Sequence, residues 1–186
     1  MTRRYVVDAQ KSRFTVQAFA TGLLAGFGHS PKFAIRQFDG EFDFASDTHA
    51  GSSFNLTVKA SSLELVGDLG ETERNEIQKV TLDEVLEVGK YPEISFHSAK
   101  VALTEIAHSW FRARMRGDMR LHGTTKPVEI DSQLRLNDGE MRLSGNFLLS
   151  ITDFKIKRVK SVGGLLKVKD ELNFEFDLLG REEKSA

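Results

Sequence analysis

Apolar and polar residues alternate along most of the chain, and this period of two predicts β-strands. In the clearest stretch, residues 111–122, apolar or small residues occupy every second position, with arginine, aspartate or histidine between them. One face of such a strand is buried and the other contacts solvent, as is typical of antiparallel sheets. The same alternation is present, with varying clarity, at residues 14–18, 42–44, 54–58, 94–96, 128–136, 141–151 and 172–178.

Polar turns separate these stretches, for example at residues 39–40, 123–127 and 137–139. Strands in series with short turns and no long helices favour an all-β sandwich or barrel. The pattern predicts about eight strands, the number at which a closed barrel can enclose side chains or one small ligand. No tandem repeat, low-complexity tract or linker interrupts the pattern, so residues 1–186 are expected to form a single domain.

One long, acidic connection departs from the alternation and predicts a short helix. Thr81 and Glu84 have the spacing of a capping box. Gly89 is suited to a left-handed helix end. The helix is therefore expected from about Leu82 to Val88, where it would cover one end of the barrel.

Composition removes several classes of protein. The chain has no cysteine, which excludes disulfides, thiolate metal sites and cysteine nucleophiles. A formal net charge of -1 argues against a nucleic-acid partner. The 14 Phe against 2 Tyr and 1 Trp indicate a dry interior. No apolar run reaches the ~18 residues of a membrane span and no signal peptide is recognised, so a cytoplasmic location is expected.

Candidates for catalysis or metal binding are few. No Gly-x-Ser-x-Gly elbow or phosphate loop is present, and the histidines lack metal-site spacing, so neither an enzyme nor a cofactor is predicted. Surface positions are predicted for His49, His97, His108 and His122. His29 differs because it follows the apolar, glycine-rich run 22–27, which ends at Phe27. It is expected at a barrel mouth, where it either binds a polar head group or ties the loop down.

Two groups of basic residues are candidate anion sites. The outward row consists of Arg112, Arg114, Arg116 and Arg120. Pairing with acids such as Glu129 and Asp131 on a neighbouring strand is the favoured interpretation of that row. The segment 154–169 contains six basic residues, Lys157 and Arg158 among them, and no acidic residue. It is either a clamp for a phosphate or an anionic membrane surface, or a solvated connection.

Small residues also fall at inward positions, namely Ala18, Ala113, Gly117 and Gly145. Small inward residues can hollow a barrel and leave room for a ligand. They can equally mark the bends and bulges that any barrel needs for closure. Both interpretations stay open at the level of the sequence.

Four segments together resemble the YceI-like family of lipid- or polyisoprenoid-binding proteins. Residues 117–128, GDMRLHGTTKPV, resemble the family segment GxLTLHGVTRPV, and residues 85–96, VLEVGKYPEISF, resemble DVLEVxxYPEIxF. Residues 22–31, GLLAGFGHSP, and the pair Asp153-Phe154 followed by 162–171, VGGLLKVKDE, complete a match that covers nearly the whole chain.

The resemblance implies a lipocalin-like antiparallel barrel with a helical lid and an apolar lumen. Members bind long amphiphiles such as isoprenoid quinones or polyprenyl phosphates, and many are periplasmic. This chain departs from the family pattern at Lys155, where many relatives have Gly, and at Arg158, where Pro is common. Both changes make the connection between the last two strands more basic.

These features predict a non-enzymatic protein that binds, stores or transports a long-chain amphiphile in its lumen. A stress-response or interaction module with a filled barrel is the first alternative, and a lipid-modifying enzyme is the second. A bound isoprenoid or other lipid is the expected partner, with transient contact to a membrane surface, in a monomer or a homodimer. The predicted lipid contacts are Phe14, Val16, Phe96, Phe111, Met115, Met119, Leu143, Phe147, Phe174 and Phe176.

The polar head of the ligand is expected near the mouth at residues 26–31 and the basic segment 155–169. Long connections cluster at barrel ends, where a ligand enters. Lys157 and Arg158 are the predicted phosphate contacts, and Phe27 and His29 are predicted ligand contacts at the mouth. The acidic connection is expected at the opposite end, since it carries Asp68, Glu71, Glu73, Glu76, Asp83, Glu84 and Glu87.

Overall fold

Antiparallel strands make up most of the computed structural model, which describes residues 1–21, 30–47, 49–157 and 167–183. The strands are β1 (Thr2–Val7), β2 (Arg13–Thr21), β3 (Lys32–Ile35), β4 (Phe38–Ala45), β5 (Ser53–Lys59), β6 (Leu63–Val66), β7 (Glu93–Ala107), β8 (Trp110–Leu121), β9 (Thr124–Asn137), β10 (Glu140–Ser150) and β11 (Lys167–Glu182). Neighbours along the sheet are antiparallel throughout this part of the chain.

Several consecutive strands are segments of longer, bent strands. β1 and β2 lie one after the other along β11. β4 and β3 pair with β1 and β2, and β5 and β6 pair with β4 and β3 in turn. With each bent pair taken as one strand, β1–β2, β3–β4, β5–β6 and the individual strands β7 to β11 form a ring that the β1–β11 pairing closes. The predicted barrel of about eight strands is confirmed.

A local turn at Asp8 produces the bend between β1 and β2. Its Oδ1 accepts hydrogen bonds from the backbone N–H groups of Gln10 at 3.1 Å and Lys11 at 3.3 Å. Asp favours turns because its side chain can replace a backbone acceptor in this way. The Asp8 N–H donates to the Leu179 carbonyl oxygen at 2.8 Å, so the turn remains attached to β11.

The alternating pattern assigns the two faces of the strands correctly. On β8, Phe111, Ala113 and Met115 are buried, and the arginines between and beside them are exposed. The inward faces of all the strands join in one apolar core. Burial of apolar area at roughly 25 cal/mol per Å² is the main term that stabilises such a core.

The helix lies earlier in the chain than the capping box predicted. It is α1 (Glu71–Lys79), and it continues as a π-helical stretch at Val80–Val85. Gly70 is its N-cap, and Glu71 and Glu73 in the first turn favour this start through the helix dipole. The predicted cap at Thr81 is therefore wrong, because Thr81 lies inside the π-helical stretch.

The end of the helical region also differs from the prediction at Gly89. The left-handed residue is Glu87, with φ +47°. Partly buried Leu82, Val85 and Leu86 pack against the barrel core. The expected short helical segment over one end of the barrel is thus present, with different boundaries.

Side chains of α1 cover the free edge of β6. The Gln78 amide accepts a hydrogen bond from the Leu65 N–H at 2.7 Å and donates one to the Leu63 carbonyl. Arg74 donates to the carbonyl oxygens of Leu65 and Gly67. β6 ends the strand order, so these side chains satisfy backbone groups that a further strand would otherwise pair.

Candidate functional site

An apolar cavity of about 50 Å³ lies inside the barrel. Among the described residues, Ser95 contributes the only polar side chain to its lining. The lining comprises Phe14, Ile35, Phe54, Leu56, Val58, Ile94, Ser95, Phe96, Met115, Met119, Leu121, Ile130, Phe147, Leu149, Phe174, Phe176 and Leu178. The arrangement can bury hydrocarbon but offers almost nothing to orient a polar group.

Most of the predicted lipid contacts reach this cavity. Those in the lining are Phe14, Phe96, Met115, Met119, Phe147, Phe174 and Phe176. Val16, Phe111 and Leu143 are also buried, but they belong to packed core outside the lining. The predicted contacts did not include β5, although its Phe54, Leu56 and Val58 line the cavity and follow the same alternation.

Phenylalanine rings form one wall of the cavity. Phe147 and Phe174 are stacked, with ring centroids 4.9 Å apart and an interplanar angle of 6°. Phe14 contacts Phe38 edge-on at 5.8 Å and Phe176 at 6.3 Å. Phe147 and Phe174 are only partly buried, so this wall reaches the barrel surface.

The cavity is small compared with ligand sites. Drug-sized ligands occupy pockets of roughly 300–1,000 Å³, whereas about 50 Å³ has room for only a few water molecules, each needing about 10–15 Å³ by this measure. A long hydrocarbon would fit only if side chains in the wall moved.

The small inward glycines mark close approaches and do not hollow the barrel. A Cβ at Gly117 would lie 2.2 Å from the His97 carbonyl oxygen, where β7 forms a bulge between His97 and Lys100. A Cβ at Gly145 would lie 2.9 Å from the Phe176 ring. Of the two interpretations left open, the structure supports bends and bulges at these positions.

His122 is not a surface histidine, contrary to the prediction. Its side chain is 11% exposed, and its Nε2 lies 2.6 Å from Oε2 of Glu87. Its ring also packs on Tyr91, with centroids 4.3 Å apart. These contacts attach the end of the helical connection to the β8–β9 turn.

His49 also departs from the surface prediction. Its ring packs on Phe44 at 5.4 Å and on Phe111 at 5.0 Å, and it is only partly exposed. Tyr5 is fully buried, and this burial raises the pKa of its hydroxyl. These side chains fill the end of the barrel at which the β7–β8 and β9–β10 turns lie.

As predicted, the two central arginines of the outward row form ion pairs with acids. Arg114 lies 3.0 Å from Asp131 and 3.5 Å from Glu129, and Arg116 forms an ion pair with Glu129. A hydrogen bond to Asp131 and the charges of both acids raise the pKa of Arg114. Arg112 and Arg120 form no ion pair within the part of the chain that the structure describes.

The predicted separation of charge between the two barrel ends is wrong. β6 and β10 run in the same direction around the barrel, because four antiparallel steps separate them in the strand order. The acidic connection after Val66 and the basic connection after Ser150 therefore leave from the same end. Of the predicted head-group contacts, Lys157 is exposed, whereas Phe27, His29 and Arg158 lie outside the described residues.

A short segment with three buried apolar side chains, residues 151–156, follows β10 and is named the plug. Phe154 and Ile156 are 1% and 2% exposed, and the 3-10 turn Thr152–Phe154 contacts β9. Asp170 holds the plug: its carboxylate accepts hydrogen bonds from the Thr152 N–H at 3.0 Å and hydroxyl at 2.9 Å. This segment fills space beside the strands with apolar side chains.

Lys155 ends the turn of the plug with φ +60°, a left-handed conformation that favours glycine. We expect Lys155→Gly to raise the free energy of unfolding by about 0.5–1 kcal/mol, because the exposed lysine gains no burial that offsets this strain. Urea denaturation measures the change. Lys157→Gly, at an exposed position with no positive φ, should instead lower it. Equal effects of both substitutions would contradict the assignment of strain to Lys155.

None of the helices among the described residues has the length and apolar character needed to cross a bilayer. Within the same residues, no three His, Cys, Asp or Glu side chains are grouped in a way that could hold a metal ion.

Sequence comparisons match this chain to known proteins over most of its length. The YceI-like domain profile matches residues 5–179. A UPF0312 protein of Pseudomonas savastanoi is 28% identical over 166 residues, which cover 84% of this chain and 78% of the relative. A UPF0312 protein of Vibrio campbellii is 28% identical over 129 residues, covering 69% of this chain. The chain spans 61% of the length of the Vibrio relative.

Solved structures share the fold. BcnA of Burkholderia cenocepacia superposes with a TM-score of 0.69 at 18% identity, covering 93% of this chain and 98% of BcnA. A polyisoprenoid binding domain from Saccharophagus degradans gives a TM-score of 0.72 at 13% identity, with coverage of 96% and 98%. At these identities, the likeness establishes the architecture of the barrel.

Proposed function

This chain belongs to the YceI-like family, and from that premise we propose that it binds a long-chain amphiphile with the hydrocarbon tail inside the barrel. The proposal includes storage or transport of the bound lipid. The observation that carries it is the cavity lining, which is apolar on every contributing strand apart from Ser95. Such a surface favours a flexible hydrocarbon because hydrophobic burial is non-directional.

Entry of a tail requires movement of the phenylalanine wall. Phe147 and Phe174 are the natural candidates, because both rings line the cavity and both are partly exposed. Their displacement would cost the stacking contact, worth about 0.5–1.5 kcal/mol. Burial of a tail at roughly 25 cal/mol per Å² would readily exceed that loss.

Binding fits the cavity better than catalysis does. General acid–base chemistry needs a titratable group within hydrogen-bond reach of the reacting atom. No titratable side chain lines the cavity among the described residues. The Saccharophagus degradans neighbour is a polyisoprenoid binding domain, which supports an isoprenoid as the ligand class.

Farnesol and a short-tailed isoprenoid quinone are suitable probes. We expect each to form a one-to-one complex in native mass spectrometry and to raise the melting temperature, since a ligand at about 100 times its Kd adds about 2.7 kcal/mol. Leu56→Trp, which places an indole in the cavity wall, should abolish both effects. Leu179→Trp, at a 36% exposed position outside the cavity, should leave both unchanged. A cooperative melt of each unliganded variant shows that it is folded.

The small cavity volume favours one competing function, an interaction module with a filled barrel. In that case the barrel would serve only as a rigid scaffold for its surface. Absence of any complex or melting shift with both probes would overturn lipid binding and favour this module.

A further inference from the structure

A polar groove of about 470 Å³ lies on the outer wall of the barrel, where β8, β9 and β10 are adjacent. It is far larger than the interior cavity of about 50 Å³. Its polar side chains include Arg112, Arg114, Asp131, Gln133, Ser144 and Asn146. All the lining residues belong to strands β7 to β10, so the groove does not depend on a loop for its shape.

The register of β8 and β9 leaves one cation in this groove without an acidic partner. Arg116 pairs with Glu129 and Arg114 with Asp131, but the next pair in the register is Arg112 with Gln133. On the other side of β8, Arg112 pairs with Thr104, which is also uncharged. Arg112 forms no ion pair with any residue in the described ranges.

The acid in the groove is already neutralised. Asp131 receives a hydrogen bond from Arg114 at 3.0 Å, and the two charges cancel. The groove therefore has a net charge of +1, carried by Arg112. The side-chain amides of Gln133 and Asn146 and the hydroxyl of Ser144 add neutral hydrogen-bond donors. This combination suits an oxyanion, because the guanidinium fork matches carboxylate and phosphate oxygens.

The groove also adjoins the interior. The pairing of β9 with β10 ends at Ser132 and Gly145, and both residues line the groove. On the inner side of the wall, a Cβ added to Gly145 would lie 2.9 Å from the ring of Phe176, which lines the cavity. Gly145, which has no side chain, therefore lies between the groove and this ring. Beyond this pair, the described residues of the two strands form no further ladder.

We propose that this groove binds the anionic head group of the amphiphile, with Arg112 as the principal contact. The inference rests on the proposed function and adds the position and charge of the head group. The tail passes from the groove into the barrel along the line where the β9–β10 pairing ends. A phosphate or a carboxylate head satisfies the same chemistry.

The test compares two ligands that share one tail. Farnesyl monophosphate carries the anionic head, and farnesol carries a neutral hydroxyl. We expect Arg112→Ala to raise the Kd of farnesyl monophosphate about five- to twentyfold, as for loss of a charge-assisted hydrogen bond at a solvated site. The Kd of farnesol should change less than twofold. High salt should reduce the difference, since exposed charges are screened over about 8 Å at physiological ionic strength.

Arg120→Ala is the matched control, because Arg120 is an exposed outward arginine of the same strand that does not line the groove. It should leave both affinities unchanged. Equal losses in the Arg112 and Arg120 variants would reduce the effect to general surface charge and overturn the groove. Unchanged binding of farnesyl monophosphate to Arg112→Ala would overturn it as well. If the unaltered protein bound neither ligand, lipid binding itself would fail, which is a separate outcome.

Discussion

Gly117→Ala should destabilise the protein more than any other single methyl addition at the glycines considered above. The added Cβ would lie 2.2 Å from the carbonyl oxygen and 2.8 Å from the carbonyl carbon of His97, both backbone atoms that cannot rotate away. Relief requires the β7 bulge to shift, and that bulge is fixed by Ser98. The buried Ser98 hydroxyl shares its one proton between the carbonyl oxygens of Lys100 at 3.1 Å and Arg116 at 2.9 Å. Overpacking costs typically about 1–3 kcal/mol, and the backbone clash places this site at about 3 kcal/mol or more.

Thermal unfolding measures the effect as a fall in melting temperature of about 6–12 °C, at about 2–4 °C per kcal/mol for a chain of this size. Gly89→Ala is the control, because a Cβ there meets no atom within 4 Å and no positive φ is involved. It should change the melting temperature by about 1 °C at most. If the Gly117→Ala and Gly89→Ala proteins had the same melting temperature, the bulge would be free to move.

The strands were predictable because one physical signal determines them. A half-buried strand must alternate, and β8 does so without exception from Phe111 to Leu121. The bends were not predictable in the same way. Asp8 begins a turn that divides one long strand into β1 and β2, and nothing in the local pattern shows that both segments pair with β11.

The helix was misplaced because its stability does not come from an apolar face. No residue of α1 is fully buried, and its single apolar residue, Ile77, packs partly buried against the core, so the expected stripe is absent from its sequence. Its other contacts are polar, from Arg74 and Gln78 to the edge of β6. Long-range hydrogen bonds of this kind leave no periodic signal. Thr81 and Glu84 matched a capping box by spacing alone.

The contact between two of the family-like segments could not be predicted from the sequence either. Glu87 and Tyr91 lie in one segment and His122 in the other, and the structure brings all three together. The alternation placed His122 on the outward face correctly. It could not show that the helical connection returns to cover this residue. The prediction that the acidic and basic connections lie at opposite ends was wrong for a related reason. Strand direction around the barrel decides which connections share an end.

Phe14→Ala should produce the second large effect, a loss of stability together with a gain in ligand binding. Phe14 is buried among Phe38, Phe174 and Phe176 and lines the cavity. Truncation of a buried phenylalanine costs about 3–5 kcal/mol. It should also enlarge the cavity by a volume on the order of 100 Å³, and apolar cavities of this kind remain dry and accept apolar guests. We therefore expect a lower melting temperature without ligand and a larger rise with farnesol than in the unaltered protein.

Phe44→Ala separates the gain in binding from the loss of stability. Phe44 is equally buried, but it packs on His49 and Phe111 and does not line the cavity. Its truncation should lower the melting temperature by a similar amount and leave the farnesol-induced rise as it is in the unaltered protein. Calorimetric melts with and without farnesol compare the three proteins directly. If farnesol raised the melting temperature of both variants by the same amount, its binding would respond to loosening of the barrel in general. That result would contradict the assignment of the tail to the cavity at Phe14.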